Sequence, residues 1–446
     1  MHLQLRRALS AAATSSAQFR RAISTGGGAS RPPPPWAVIR HAPAYESPSP
    51  RASFLVADPP RSSHLLVPDS LIEERPAPEP GSDMVGYLNG VVSATSGDGL
   101  LLVSYMDTHA PASVVPKLIA GTIPKKPSDL DGLDVFDPDM TRFVCNPVSG
   151  ELFRLPDIDG TKKTILYNSP GLLTRRSSAG QGPPDSYAVA FLREDRNRGG
   201  TFNMRRFLSR AGEWEKLEGL PSPILIPRRI KLYTEVVAFA GRLWWADLTW
   251  GLISADPFSD RPELSFVELP RGSVWAMPWS GLVQMQGVYR RVGVSEGKLC
   301  YVELSQKDPE FILSSFALDD DARSWTLEHR VALGRLSGVN LNGGSLKDAP
   351  RIGVIDPLNS SVICVIVDKH LLSVDMDMGK VLDFSPINEK NEAPAWGITS
   401  VVKACVLPPW LASAKIPTAG TYSSNKGNAE TNTLSDILVR VDKDKN

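Results

Sequence analysis

The chain has 446 residues, of which 42% are hydrophobic and 22% are charged, and its formal net charge at pH 7 is zero. Residues 1–45 hold six Arg and no Lys, Asp or Glu, so the rest of the chain carries a net charge of −6. This mildly acidic body argues against general nucleic-acid binding, which needs a basic face. No run of 18 apolar residues is present, so no membrane-spanning helix is expected.

The first 35 residues have the composition of an organellar targeting peptide. They are rich in Arg, Ala and Ser, and at about 100° per residue Leu5, Leu9 and Phe19 fall on one helical face. A basic amphipathic helix without acids is typical of a mitochondrial presequence. We predict that residues 1–35 form a mitochondrial-type targeting peptide, bound by the import machinery, that ends in a stiff Pro-rich spacer. A plastid transit peptide and a disordered tail on a cytosolic protein are the alternatives.

Short apolar runs between turn residues follow along the chain. Early runs lie at 36–40, 53–57, 84–106, 142–156 and 187–221. The runs that close at Pro156, Pro221 and Pro270 each end in Leu-Pro, at spacings of 65 and 49 residues. This spacing predicts an irregular repeat of a small β unit.

The clearest unit is the stretch 236–270, which contains the four runs VVAFA, RLWWADL, GLISAD and ELSFVEL. Turn-forming residues separate them at Ala240-Gly241, Thr249–Gly251 and Asp256–Pro262. Strands this short, joined by turns this tight, predict a four-stranded meander. A meander of this size corresponds to one blade of a β-propeller.

Similar units at 289–331 and 351–384 extend the pattern. We therefore predict an all-β fold over residues 36–411, an irregular β-propeller of about five or six four-stranded blades. A large sandwich, or two β domains joined by loops, is the alternative. The run Trp36–Arg40 is expected to pair near Ile398–Cys405 and close the ring, which would remove a free sheet edge. The polar residues 412–446 are predicted to be a disordered tail.

The segments CNPVSGELFRLP, LWWADLTWGLISADPFSDRPELSFVELP and YRRVGVSEGKLCYVEL resemble a plant family of proteins known as domain of unknown function 1618. The resemblance extends over most of the body, and the same pattern is similar to kelch repeats and to the F-box-associated β domain. The family implies no catalytic residues. An F-box beginning near Val67–Ile72 is rejected because the prolines of Arg75–Pro80 would break its helix.

Several short motifs resemble chemical sites, and each is better explained by a turn. Gly293–Gly297 matches GxSxG, but a strand follows where a hydrolase needs a helix. Asn340–Gly344 lacks the Lys-Ser/Thr of a phosphate-binding loop. Asp319–Asp321 lacks the spacing of a calcium loop and is predicted to be a solvated turn. Asn359 begins a glycosylation sequon, which matters only on the secretory route.

The Cys and His residues show no metal-ligand spacing, so no zinc site is expected. The sequence nominates no catalytic, cofactor-binding or metal-binding residue. The four thiols are predicted to be small core side chains in a reducing compartment; they are Cys145, Cys300, Cys364 and Cys405.

The aromatic cluster of the 236–270 unit is predicted to serve packing. Trp244 and Trp245 are adjacent on a strand, so they point to opposite faces, and we expect both to enter cores, as we do Trp250. Asp247 is expected to be partly buried and to accept backbone or Trp N–H hydrogen bonds. An aromatic binding surface is the alternative.

The fold class favours a non-enzymatic protein-interaction platform, by analogy alone. Partner proteins are expected to bind the longer polar loops, Thr122–Asp139, Asn168–Asp185 and Leu336–Pro350. The alternative is a hydrolase- or lyase-type enzyme with its site in the central channel, which would require two or more perturbed carboxylates or His at the axis. RNA binding is disfavoured by the acidic body.

Overall fold

The structure is a computed structural model. It describes residues 33–39, 42–113, 115, 138–163, 169–177, 182–195, 200–224, 228–232, 235–274, 287–305, 311–336, 350–367, 370–387 and 402–418. Several predicted segments lie outside these ranges: residues 1–32 of the targeting peptide, the Asn340–Gly344 motif, residues 419–446, and nearly all of the predicted binding loops Thr122–Asp139 and Leu336–Pro350.

Twenty of the strands form five four-stranded antiparallel sheets in chain order, as a β-propeller requires. Blade 1 comprises β5 (Met84–Thr95), β6 (Leu101–Pro111), β7 (Asp139–Cys145) and β8 (Leu152–Arg154). Blade 2 comprises β9 (Gly171–Arg175), β10 (Ser186–Glu194), β11 (Thr201–Leu208) and β12 (Glu213–Pro221). Blade 3 comprises β13 (Glu235–Phe239), β14 (Arg242–Asp247), β15 (Gly251–Ala255) and β16 (Ser265–Glu268). Blade 4 comprises β17 (Arg290–Ser295), β18 (Lys298–Leu304), β19 (Ile312–Leu318) and β20 (Trp325–Ala332), and blade 5 comprises β21 (Arg351–Ile355), β22 (Val362–Val367), β23 (His370–Asp375) and β24 (Lys380–Pro386).

A sixth sheet joins the two ends of the chain. It contains β1 (Trp36–Ile39), β2 (Ala44–Tyr45), β3 (Ser53–Leu55), β4 (Ser62–Pro68) and β25 (Lys403–Val406). Strand β25 pairs antiparallel with β1, so that Ala37 lies opposite Cys405, and β1 pairs parallel with β4. The predicted closure of the ring is confirmed. The propeller has five four-stranded blades, and this mixed closing sheet completes the circle.

The turns explain why the runs fold as hairpins. In the β13–β14 turn, Ala240 and Gly241 have φ of 49° and 71°, and in the β17–β18 turn Glu296 and Gly297 have φ of 48° and 74°. Positive φ at both central residues is the backbone of the hairpin turn whose twist matches the strands. The two-residue spacing read from the sequence therefore sets the register of both hairpins.

The core lies between the blades. Trp245 is fully buried with Leu173 and Ala190 of blade 2, whereas Trp244 packs with Val292 and Tyr301 of blade 4. Adjacent strand residues thus serve the two sides of blade 3, as the sequence predicted. Trp250 is also buried, in the core shared with blade 2.

The chain stays packed beyond residue 411. Ile416 is buried, and its N–H donates to Glu151 Oε2 at 2.8 Å. The side-chain amide of Asn146 donates to the carbonyls of Leu411 at 2.8 Å and Ala414 at 3.1 Å. The folded body therefore reaches at least Thr418.

One of the predicted loops is not a loop. Within Asn168–Asp185 the structure places β9, the innermost strand of blade 2, at Gly171–Arg175. The expectation failed because a five-residue strand between polar flanks shows no clear alternation. Short 3-10 turns lie at Asp69–Leu71, Ile158–Gly160, Leu333–Arg335 and Pro409–Ala412, and residues 287–289 just before β17 are α-helical. In the described part of the chain, no helix has the length and hydrophobicity to cross a bilayer.

Candidate functional site

The innermost strands converge on the axis of the ring. They are β5, β9, β13, β17, β21 and β25, and each contacts the next around the circle. Strands β13, β17, β21 and β25 begin at the same end of the axis, where Arg291, the second residue of β17, bonds to β13, β21 and the residue before β25. We call the four charged residues there, Glu235, Arg291, Arg351 and Lys403, the axial cluster.

Positive charge predominates on the innermost strands. Glu235 is the one carboxylate on these six strands. The cations number five; they are Arg175, Arg290, Arg291, Arg351 and Lys403. An excess of one sign in a narrow region creates a field that attracts the opposite charge.

The pair Glu235–Arg291 holds the axis together. Arg291 Nη2 lies 2.8 Å from Glu235 Oε1, and each side chain is 6% exposed. The same guanidinium donates to the carbonyls of Gly353 on β21 and Val402 before β25. Glu235 Oε2 also accepts the N–H of Val292 at 3.0 Å. This ion pair links blades 3, 4 and 5 to the closing sheet, and its hydrogen bonds leave the carboxylate no role as a free base.

Lys403 and Arg351 differ from this pair. Both are half-buried, and within the described part of the chain neither has a hydrogen bond or an ion pair. Burial lowers the pKa of the Lys403 ammonium. The attraction of Glu235 raises this pKa, but the positive charge of Arg291 opposes that effect. Among the described residues, the axial cluster therefore contains one hydrogen-bonded ion pair, and Glu235 also attracts the Lys403 ammonium.

A second titratable cluster lies away from the axis, in blade 1. Asp107 on β6 stands directly opposite Asp139 on β7. Burial raises the pKa of the Asp107 carboxyl, and the charges of Glu74 and Asp139 raise it further, against the hydrogen bond from the Arg75 N–H at 2.6 Å. Lys163 Nζ lies 3.0 Å from Asp139 Oδ1. Through the Arg75 N–H, Asp107 thus attaches the segment that precedes β5 to blade 1.

Sequence reasoning missed both clusters because their members are far apart in the chain. Glu235 and Arg291 are separated by 56 residues, and Asp107 and Asp139 belong to strands joined by a long connection. Charged residues within the first two positions of successive inner strands are a signal that could have been read once the blades were aligned.

Asp247 has the structural role that was predicted. Its Oδ1 accepts the Thr249 N–H at 2.9 Å and the Thr249 hydroxyl at 2.6 Å, and its Oδ2 accepts the Lys231 N–H at 3.0 Å. These bonds close the β14–β15 turn and attach the segment that enters β13. The predicted backbone partners are confirmed.

The motif resembling a hydrolase nucleophile is a hairpin, as predicted. Ser295 ends β17, is buried, and donates its hydroxyl to the carbonyl of Asp356 at 2.6 Å. The Asp319–Asp321 segment is the β19–β20 turn, where Asp319 accepts the hydroxyls of Ser324 and Thr326. In both places the side chains stabilise turns.

The four thiols lie in the core and are free. Burial raises the pKa of Cys300 to about 11 and of Cys364 and Cys405 to about 12, and it raises that of Cys145 as well. Thiols that stay protonated at neutral pH are poor nucleophiles. Across the described ranges, no three His, Cys, Asp or Glu residues are grouped closely enough to hold a metal ion.

Comparison with known sequences supports the resemblance that the sequence suggested. The family model "Protein of unknown function (DUF1618)" matches residues 245–373, which span the second strand of blade 3 to the third strand of blade 5. No curated protein matches the chain.

Several solved structures are similar to this chain at low identity. The β-propeller domain of the Trilobed protease from Pyrococcus furiosus is 11% identical, with 65% of this chain and 68% of that chain covered and a TM-score of 0.28. A lectin of Aleuria aurantia is 8% identical, with coverages of 57% and 82% and a TM-score of 0.25. The fission yeast SREBP–SCAP binding domains are 11% identical, with 80% of each chain covered and a TM-score of 0.25. Likeness at this level carries no conclusion about activity.

Proposed function

We propose that this propeller is a non-enzymatic protein-interaction platform. The observation that carries the proposal is the outer strand of blade 5. On β24, Leu382 is 46% exposed and Phe384 is 58% exposed, and Met378 in the preceding turn is 57% exposed. Exposed apolar side chains grouped on one element are typical of protein interaction sites.

Strand β24 also offers a free backbone edge. It is the last strand of its sheet, so among the described residues its outer edge has no strand partner. Proteins ordinarily protect such edges with charges. The outer strand of blade 2, β12, carries Glu213, Glu215, Lys216 and Glu218, whereas the exposed part of β24 carries Leu382, Asp383 and Phe384. An extended segment of a partner protein could add to this edge and bury the two apolar side chains.

The titratable residues on the innermost strands also favour an interaction platform over an enzyme. The proposed alternative, an enzyme with a central-channel site, needs titratable groups that are free to transfer protons. On the innermost strands the single carboxylate, Glu235, is held by Arg291 and a backbone N–H. The raised pKa of Asp107 belongs to a pair in blade 1 rather than to the axis.

We further propose that the platform works inside mitochondria, directed there by residues 1–35. Their acid-free, Arg-rich, amphipathic character supports this location, with a plastid as the alternative. Fusing residues 1–35 to a fluorescent reporter should send it to mitochondria, whereas a diffuse cytosolic signal would refute the proposal. The Trp-rich strand β14 supports a kinship with kelch-like plant proteins as part of the same proposal.

Proximity labelling inside the organelle tests the platform directly. We expect the wild-type chain to label a reproducible set of neighbours and the double variant Leu382→Ser/Phe384→Ser to lose some of them. Leu327→Ser is the matched control, since Leu327 is 47% exposed on the outer strand of blade 4. The double variant retaining every neighbour would eliminate β24 as the surface, and a wild-type chain without specific neighbours would eliminate the platform.

A further inference from the structure

We propose that the segment Leu434–Val441 of this chain docks on strand β24 as an added edge strand. The proposal rests on the β24 surface that carries the proposed function. It names the occupant of that surface in the unbound protein. A partner protein that uses β24 therefore has to displace the chain's own C-terminal segment.

The C-terminal residues that were predicted to be a disordered tail contain one apolar run. Residues 419–433 are mostly small and polar, whereas five of the eight residues of Leu434–Val441 are Leu, Ile or Val. Two valines, Val439 and Val441, flank Arg440. Aliphatic and β-branched residues that alternate with a charge are typical of a strand with one buried face. A strand gains backbone hydrogen bonds only beside another strand, so this run requires a sheet edge.

The exposed part of β24 has the complementary pattern. Leu382 and Phe384 are 46% and 58% exposed, and they flank Asp383. With Asp383 opposite Arg440, the two apolar side chains of β24 lie opposite the two valines, whether the strands run parallel or antiparallel. Opposite charges and apolar pairs directly across two strands both stabilise a sheet. The match therefore involves one charge pair and two apolar pairs.

The other outer strands of the five blades are less suited to this segment. Strand β8 has three residues and β16 has four, and the exposed side chains of β12 are mostly charged. On β20 the acid Glu328 is already paired with Lys298 at 2.7 Å, and Leu327 is the one exposed large apolar residue. Within the described part of the chain, β24 combines two exposed apolar side chains with Asp383, an acid in no ion pair.

The C-terminal end of the described chain and β24 both contact the region of the closing sheet. Ile416 donates its N–H to Glu151 Oε2 at 2.8 Å, and the residue before Glu151 accepts the Ala52 N–H at 2.8 Å. On the other side, the Ser385 hydroxyl of β24 donates to the Pro60 carbonyl at 3.2 Å. Ala52 and Pro60 lie on either side of β3. The two ends to be joined are therefore separated by little more than the length of this segment.

The intervening chain is long enough to cover that separation. The eight residues from Ala52 to Pro60 span at most about 29 Å. The 16 residues from Thr418 to Leu434 span up to about 55 Å when extended. Docking within one molecule is therefore sterically possible, and the tether gives the segment a high effective concentration at β24.

Cysteine cross-linking in the full chain tests the docking. Asp383→Cys combined with Arg440→Cys should form an intramolecular disulfide under mild oxidation, because directly opposed strand residues lie within disulfide reach. Leu327→Cys combined with Arg440→Cys is the matched control, since Leu327 is 47% exposed on β20. We expect this control to cross-link about tenfold more slowly. Equal rates in the two variants, or a disulfide that joins two chains, would overturn the proposal.

Hydrogen exchange gives a second measurement that keeps the native charges. Amides of residues 437–441 should exchange about tenfold or more slowly than in an unfolded chain. Asp383→Lys places like charges opposite each other and should reduce this protection severalfold, and adding Arg440→Asp should restore it. Asp260→Lys, an exposed charge reversal in the β15–β16 connection, should leave the protection unchanged. Unprotected amides in the wild-type chain, or no restoration in the double variant, would contradict the docking.

The docking and the platform can fail separately. If the segment docks and β24 also binds partners, Arg440→Asp should increase proximity labelling of the neighbours that depend on Leu382 and Phe384. Cross-linking without any specific neighbours would leave the docking intact and eliminate the platform. Specific neighbours without cross-linking or protection would eliminate the docking and leave the platform intact.

Discussion

At the scale of single residues, the charged pair on the axis is the feature that the sequence did not reveal. Glu235 and Arg291 each lie at the start of a strand, but nothing in their local sequence indicates that the two starts meet. Side chains with a local role were easier to predict. Asp247 was expected to bond to backbone because it precedes a turn, and its partners Thr249 and Lys231 lie two and 16 residues away.

Removing the charge of Glu235 should lower the free energy of unfolding, because Arg291 then stays buried without its counter-charge. Glu235→Gln preserves side-chain shape but leaves a guanidinium that is 6% exposed without its counter-charge. Breaking a buried pair in this way costs about 3–5 kcal/mol in free energy of unfolding, measured by urea denaturation.

The matched control for that variant is Arg61→Gln. It breaks the pair with Asp58, in which the Arg61 and Asp58 side chains are 65% and 36% exposed. Exposed pairs contribute about 0–1 kcal/mol, so the loss should be several-fold smaller. Similar losses of stability in the two variants would contradict the structural role assigned to the buried Glu235–Arg291 ion pair.

At the scale of elements, strands were predictable wherever a two-residue turn separated them. The four runs of 236–270 became β13 to β16 because Ala240-Gly241 permits one hairpin backbone and alternation places Trp244 and Trp245 on opposite faces. Strand β4 and its parallel pairing with β1 could not be foreseen, since no local turn links them. The cross-strand pair Asp107–Asp139 could not be predicted from the sequence, because no short turn links β6 to β7.

The facing carboxylates on β6 and β7 should make stability depend on pH. The folded pKa of Asp107 is raised above its unfolded value, so its contribution is most favourable below about pH 3.8 and is lost as pH rises through the folded pKa. Asp107→Asn resembles the protonated form and can still accept from Arg75. We expect the variant to melt at a higher temperature than wild type at pH 7, with the difference shrinking toward pH 4.

Asp260→Asn provides the control, because Asp260 is exposed in the β15–β16 connection. This substitution should change stability by less than about 0.5 kcal/mol. A melting temperature for Asp107→Asn that is equal to or below wild type throughout the pH range would show that burial does not disfavour the charged carboxylate.

At the scale of the whole molecule, the account depends on a ring closed by both chain ends. The closing sheet places β25 between blades 5 and 1, which brings Lys403 to the axis and lets Arg291 reach Val402. Without that closure the axial cluster would not form. The apolar runs near residues 36 and 400 predicted the pairing, because an open propeller would leave two free edges. The register of that pairing could be determined only from the structure.

The register of β1 against β25 is the most direct test of this closure. Ala37 lies opposite Cys405, and directly opposed residues on antiparallel strands are about 4.5–5.5 Å apart at Cα, which a disulfide can bridge. Ala37→Cys should therefore form an intramolecular disulfide with Cys405 under mild oxidation, identified by mass spectrometry of the digested protein. Val38→Cys, opposite Ala404, should not form that bond. An introduced thiol at position 37 that stays reduced, or that pairs with another cysteine, would contradict the closed ring.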